Sequence, residues 1–506
     1  MNQLNKSLAF PAILMTLLIL ILSIISPTES QLVTNATMNW LTHYLGWAIE
    51  LAGFACLAFL LWLAFSRFGQ IQLGNTSPSF SNKTYAGMIF SAGVGASLIF
   101  WGIGEPIYYM QSPPLFAEKG SFTADAWLTT YSIFHWGPTG WAIYCLPALP
   151  FSYMFYNRQQ RKLKLSSLCS DVIGEKRAKG KTGYLIDLSA ILATLATFAS
   201  SLALSTGLLA QGIAEFLHIK NGLTVQAGVI FSFIIVLFII MRTGFKKGIA
   251  KVSDWSLILT FLFVLFIIMV GNGQFILANF VDSLGVMLDS YFRMSFWNDP
   301  VQQSGFPQGW TMYYWAWYSA FILMMGLFIT RISKGRTIKE VILYTISMGS
   351  LGCGVIISTF GGYAVGGDLL GNLNLQAWMQ QGDINFTVIQ VIKSLPLQPL
   401  TLFIFLLVEF SLMLTTMSSA SVAVAMATTT ELDLNGDPDT KVKLLWACGI
   451  GLISLSVFLV GGGIDTIKAL CVIVGFPMFI LYGILAKAFM GWLNQDYPNA
   501  TQTSVI

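Results

Sequence analysis

The chain has 506 residues, of which 55% are hydrophobic and only 10% charged, with a formal net charge of +4. Soluble globular chains carry about 25% charged residues, and runs long enough to cross a bilayer, roughly 17–25 residues each, recur along nearly the whole length. A soluble domain organisation is excluded, nothing in the charge points to a nucleic-acid partner, and the expected class is an all-α polytopic membrane protein.

In chain order, twelve spans are expected, at 8–26, 45–66, 86–110, 128–155, 184–215, 224–242, 252–272, 309–331, 341–365, 398–425, 442–461 and 466–488. Span 1 follows Lys6 in the manner of a signal peptide. Its apolar run is long for one, however, and the "SPTES" after it has no small-x-small cleavage pattern. Basic residues gather after span 4 (Arg158, Arg161, Lys162, Lys164), span 6 (Arg242, Lys246, Lys247, Lys251) and span 8 (Arg331, Lys334, Arg336, Lys339). The opposite side carries only Lys119, Lys220, Arg293, Lys393 and Lys468. That asymmetry places both termini in the cytoplasm of a plasma membrane, the inner membrane in a bacterium.

Span 3, "SAGVGASLIFWGIGEPIYY", carries Gly93, Gly95, Gly102, Gly104 and Pro106, with Glu105 near its outer end. Helix packing would explain a GxG. With Ser97 and the Glu105-Pro106 pair beside it, a locally unwound segment lining a binding site is the better fit. Such a segment offers carbonyls to a cation and half-helix N–H groups to a carboxylate. Span 4 holds "FHWGPTGWAIY", in which Trp136, Trp141 and Tyr144 share a broad face that Pro138 is free to bend.

In span 8, Trp310, Tyr314, Trp317 and Phe321 recur at helical spacing as one stripe with Tyr318 beside it. An interfacial belt suits Trp310 and Tyr313; Tyr318 and Phe321 lie too deep for one. Rings concentrated on two helices point to a quaternary ammonium. That cation has no N–H to donate, and each ring face offers it about 0.5–2 kcal/mol. Span 10 gathers Thr415, Thr416, Ser418, Ser419 and Ser421 in an apolar helix, a hydroxyl source for a small hard cation such as Na⁺. Glu409 in the same span must face protein or water; it fits a proton or ion site and equally a hydrogen-bonding anchor.

Six scattered cysteines and three distant histidines (His43, His135, His218) have no metal-ligand, disulfide or nucleophile–base spacing. An enzyme is therefore not expected, and His135 reads as structural. Spans 3–7 and 8–12 form two five-helix blocks of opposite orientation, the pattern of inverted repeats with a midplane site. The expected organisation is two extra helices (1–83), a first repeat (84–272), an extracellular connecting segment (273–308), a second repeat (309–490) and a short cytoplasmic tail (491–506).

The motifs "FHWGPTGWAIY", "WTMYYWAWY", "GLFITRISKGRTI" and "TTMSSAS", in this order, resemble those of the betaine/choline/carnitine transporter (BCCT) family. The resemblance implies a fold similar to that of sodium-coupled amino-acid transporters, two inverted five-helix repeats after two extra helices, assembled as a homotrimer in membrane lipid. It implies a secondary transporter of a small quaternary-ammonium substrate of betaine, carnitine or choline type. Trp136, Trp141 and Tyr144 match one side of the family's aromatic box, and Trp317, Tyr318 and Phe321 the other. The family often has Trp where this chain has Tyr318 and Phe321, and some betaine carriers have Asp at Ser97. Gly93 and Gly95 match the glycine stretch, and Met325 a Met near the substrate of exchanger-type members. Thr415 and Thr416, with carbonyls of Ala92 and Val94, match a Na⁺ site, so Na⁺ symport is expected. An ion-independent antiporter is the alternative, with Lys251 close to the position of the basic residue that replaces the ion. A same-fold carrier for amino acids or nucleobases is the other alternative. "RISKGRTIKEV" is expected to form a cytoplasmic-side helix coupling the repeats.

Overall fold

Long apolar runs without helix breakers can satisfy their backbone in lipid only as helices, and helices are what the chain forms. A computed structural model describes residues 4–160, 164–429, 438–461 and 463–498, and among these the side chains of all but 96, 122 and 241–251. The first two helices are α1 (Lys6–Ile25) and α2 (Pro27–Phe65). The next block comprises α3 (Asn82–Ala92), α4 (Ala96–Gln111), α5 (Phe122–His135), α6 (Pro138–Tyr156), α7 (Lys181–Leu217) and α8 (Leu223–Val270). After α9 (Gly273–Ser295) come α10 (Thr311–Ala320), α11 (Ile322–Ile332), α12 (Ile338–Leu369), α13 (Gln398–Ala427), α14 (Thr440–Val460) and α15 (Gly463–Asp496). Isolated bridges are the sole β-type pairing among the described residues.

Among the described residues, ten helical segments, two of them within α8, are long and apolar enough to cross a membrane, or up to twelve if each of two bent pairs is one span. The bent pairs are α3 with α4, at 56°, and the aromatic-rich segment Phe306–Ala320 with α11, at 59°. They are the stretches expected from sequence as spans 3 and 8, and each of those spans is broken.

The make-up of the membrane set differs from the twelve runs in two places. Span 4 is two helices, α5 and α6, meeting at Trp136–Gly137, and neither is apolar enough to count alone. The reason is its environment: every residue of α6 from Thr139 to Met154 is buried in protein, so rings, prolines and hydroxyls replace lipid-facing Leu and Ile. Conversely, α9 is a membrane-length helix within the connecting segment. Its exposed Leu277, Val281, Leu288 and Phe292 share one face, an apolar stripe of the kind that meets lipid.

Two further expectations change. Spans 6 and 7 lie in the single helix α8, because the basic stretch between them contains no proline; Lys251 falls outside the described side chains. "RISKGRTIKEV" does not form a helix of its own. Arg331 and Ile332 finish α11, and Thr337 starts α12 through a capping box with Glu340. Between them Gly335, at φ +80°, turns so tightly that a Cβ would meet the Ser77 carbonyl at 2.5 Å. The turn is anchored to the segment before α3: Gly335 N–H donates to Leu73 O at 2.8 Å, Leu73 N–H to Arg336 O at 2.8 Å, and Ile338 N–H to Ile71 O at 2.9 Å. The buried Arg336 guanidinium donates to Phe80 O and the Asn82 side chain. The segment before α3 and the turn between α11 and α12 are thus tied together.

Candidate functional site

The breaks place side chains at the centre of the molecule. In the first, helical bonding ends at Ala92 and resumes at Ala96, and Gly95 is extended (φ −108°, ψ 158°). Gly93 is required for close approach: a Cβ there would lie 2.9 Å from the Gly349 carbonyl of α12. At Gly95 nothing lies within 4 Å of where a Cβ would sit, so packing does not account for that glycine.

The turn between α5 and α6 aims Trp136 inward, and α6, started by Pro138 at its first position, adds Trp141 and Tyr144. Facing them, α10 brings Trp317 and Tyr318 and ends at Phe321, the corner of the second bend. The six rings meet mostly edge to face. Trp136 and Trp317 have centroids 5.1 Å apart, Trp141 and Tyr144 5.5 Å, Tyr144 and Tyr318 4.6 Å, and Trp317 and Phe321 5.4 Å. Two glycines make room for them. A Cβ on Gly140 would sit 2.6 Å from the Tyr318 ring, and one on Gly349 2.1 Å from the Trp141 ring.

The rings enclose a cavity of about 100 Å³. All ten residues expected to contact substrate line it: the six aromatics with Gly93, Gly95, Ser97 and Met325. Phe198 and Ser201 of α7, Cys353 of α12 and Met413 of α13 join them. Sequence reading missed these four, since one Phe, Ser, Cys or Met in an apolar helix carries no pattern. Tyr318 Oη is a donor without a protein hydrogen-bond partner, while the Trp141 ring N–H faces the Cys353 thiol.

Behind the cage lies a fully buried polar cluster. Trp136 Nε1–H donates to Glu105 Oε1 at 2.6 Å, Tyr109 O–H donates to Oε2 at 2.7 Å, and Tyr314 O–H donates to Oε1. His135 Nδ1 is 2.9 Å from Tyr109 Oη and 3.6 Å from Glu105, and its Nε2 is 3.0 Å from Thr311 Oγ1. His135 is therefore a bridging element, bonded at both ring nitrogens. The carboxylate of Glu105 fixes one ring of the cage through a charge-assisted bond. Sequence placed Glu105 only as a carboxylate near the outer end of span 3; its burial and its partners come from the fold.

Beside this cluster, the buried Lys468 of α15 stands with Nζ 3.3 Å from the Trp310 ring centroid, and the rings of Trp101, Tyr108 and Tyr313 lie within 6 Å. Sequence counted it only as an outer-side charge.

A model of the betaine/carnitine/choline family of transporters (BCCT) matches residues 7–498, nearly the whole chain. The chain belongs to the BCCT family. It is accordingly a multi-pass membrane protein and a secondary transporter of betaine-, carnitine- or choline-type compounds, and membership assigns it transport rather than catalysis.

In this BCCT protein a second cavity, of about 500 Å³, adjoins the cage and shares Ala92, Gly95, Met324, Met325 and Thr416 with it. It reaches Thr84 and Ile332, on the side of the basic connections. Ala92, Val94, Thr415 and Thr416 all line it, so the structure brings together the four residues expected at a Na⁺ site. Ala92 ends α3 and Val94 lies in the unwound stretch, while α13 is an unbroken helix. The Thr415 and Thr416 hydroxyls both donate to Leu412 O, at 2.7 and 3.0 Å, which leaves their oxygen lone pairs available to a cation. Asp254 also borders this vestibule.

Proposed function

We propose that this chain carries a small quaternary-ammonium compound by alternating access through the six-ring cage, with Na⁺ as the coupling ion. One observation carries the reading: Trp136, Trp141, Tyr144, Trp317, Tyr318 and Phe321 converge on one small cavity. An ammonium without N–H protons gains nothing from hydrogen-bond acceptors, and ring faces are its natural protein partner. Within the class, the unpartnered hydroxyl of Tyr318 favours a substrate that also bears a carboxylate, such as betaine or carnitine. The vestibule leading from the cage to the basic side supports an inward-open conformation, with both termini cytoplasmic in a plasma membrane, the inner membrane in a bacterium. The oxygen atoms of Thr415, Thr416, Ala92 and Val94 supply the hard ligands that Na⁺ prefers. Assembly as a homotrimer is part of this proposal.

Uptake of labelled betaine, carnitine and choline tests it. The intact protein transports at least one of them, and Trp317→Ala weakens its binding by about tenfold or more, the worth of one or two desolvated ring contacts. Unchanged uptake of all three by Trp136→Ala and Trp317→Ala would refute the cage. Replacing external Na⁺ by N-methylglucamine separates Na⁺ symport from antiport.

A further inference from the structure

One wall of the cage and the first break rest on a third element, α12, along a face of small residues. A Cβ on Gly349 would sit 2.1 Å from the Trp141 ring, and one on Gly352 2.4 Å from the Phe90 carbonyl oxygen in the last turn of α3. From the other side, a Cβ on Gly93 would lie 2.9 Å from the Gly349 carbonyl oxygen and 3.3 Å from the Cys353 backbone nitrogen. Helix α12 therefore touches both the indole of Trp141 and the unwound backbone directly.

Gly349, Gly352 and Cys353 recur at i, i+3 and i+4, on one face of α12. Cys353 brings a polar side chain to that face; it is buried and lines the cage. Its Sγ–H donates to the Gly93 carbonyl oxygen at 3.3 Å, and the Trp141 ring N–H faces the same sulfur. A thiol is a weak donor and a weak acceptor, so one sulfur serves both neighbours at once. Each contact is weak, but both ends belong to the cage lining, which includes Trp141 and Gly93.

The two tryptophans on this side are thus held by different means. The Trp136 N–H reaches the Glu105 carboxylate at 2.6 Å, whereas that of Trp141 faces sulfur. An indole attracts a cation through its face and not its edge, so a ring free to turn about its side-chain bonds would lose that attraction.

We propose that Cys353 is a positioning residue of the cage: its thiol holds the Trp141 indole against the unwound backbone at Gly93, so that the ring keeps its face toward the substrate ammonium. The proposal rests on the cage reading above. Cys353 acts through Trp141 and not through contact with the substrate.

A double-mutant cycle on the purified full-length protein tests it, read as the affinity for betaine, carnitine and choline. Cys353→Ala removes both sulfur contacts and should weaken binding about fivefold for each compound that the natural protein binds, since the trimethylammonium head is common to all three. Cys353→Ser keeps a donor and an acceptor and should restore affinity to within about twofold. In a Trp141→Phe background, which has no ring N–H, adding Cys353→Ala should cost less than about twofold. The same loss in both backgrounds overturns the proposal, because the cysteine would then act without the indole. Unchanged affinity in Cys353→Ala overturns it too, as does a Cys353→Ser variant as weak as Cys353→Ala.

The thiol gives a second readout that needs no substrate. Infrared absorption of the S–H groups should show a hydrogen-bonded component that is absent from Cys353→Ala and Cys353→Ser and shifted in Trp141→Phe. A component that Trp141→Phe leaves unmoved overturns the bridge even where no compound binds. An intact bridge in a protein that binds none of the three compounds overturns the cage reading instead. If Cys353→Ala does not fold, the Cys353→Ser and Trp141→Phe spectra decide.

Discussion

Two neighbouring layers of the same α7–α13 seam have opposite chemistry. The cage layer is walled by six rings and lined by Ser201 and Met413; the layer beyond has the buried Glu409 carboxyl group set against the Ser205 hydroxyl. Both hold a group that lipid would not accept, by different means. A cation that cannot donate a hydrogen bond can be held by ring faces at no cost in unsatisfied donors. A carboxyl group needs a donor, and the Ser205 hydroxyl supplies one to Glu409. Lys468 is a third case, an ammonium that does carry N–H donors and yet packs over the Trp310 ring. A polar or ionic group placed in the membrane is therefore not one signal but several, and its partners decide which.

The sharpest break of the cage layer comes from the rings themselves. Trp136→Ala combined with Trp317→Ala should lower substrate affinity by well over about tenfold, at about 0.5–2 kcal/mol per ring, measured by tryptophan-fluorescence titration or thermal shift. Next is a matched glycine pair. Gly349→Ala drives a methyl group into the Trp141 ring, whereas Gly95→Ala meets no atom within 4 Å. Overpacking of this kind costs about 1–3 kcal/mol, so Gly349→Ala should lose about tenfold in affinity while Gly95→Ala stays close to the natural protein. Equal losses would show that glycine at both positions serves the backbone.

Glu105→Gln should have a smaller effect. It keeps the size of the side chain but weakens charge-assisted bonds from Trp136, Tyr109 and Tyr314 by about 1 kcal/mol, a few-fold fall in affinity with unchanged substrate ranking. Thr415→Ala with Thr416→Ala should leave Na⁺-free binding near its original value and abolish only the increment that Na⁺ adds. A loss of Na⁺-free binding of the same size would place those hydroxyls in the cage rather than at an ion site.

Composition and periodicity were enough for the class, because a chain with this many apolar runs can fold only by crossing a membrane as helices. Motif order made the family legible, and the spacing of Trp136, Trp141, Tyr144, Trp317, Tyr318 and Phe321 made the cage legible, since rings in pairs of buried helices stand out from Leu and Ile. Other features depended on which surfaces meet. Phe198, Ser201, Cys353 and Met413 are ordinary residues until four helices converge on one cavity. The amphipathic α9 was hidden by its mixed composition, and the expected helix at "RISKGRTIKEV" gave way to a turn whose bonds come from residues some 260 positions earlier. Glu409 fitted two roles in sequence, and only the fold shows that its carboxyl group meets the Ser205 hydroxyl of α7. Local sequence determines where a helix runs and how apolar its face is; which polar atoms go unpaired is a property of the packed whole, because partners are supplied by segments far away in the chain.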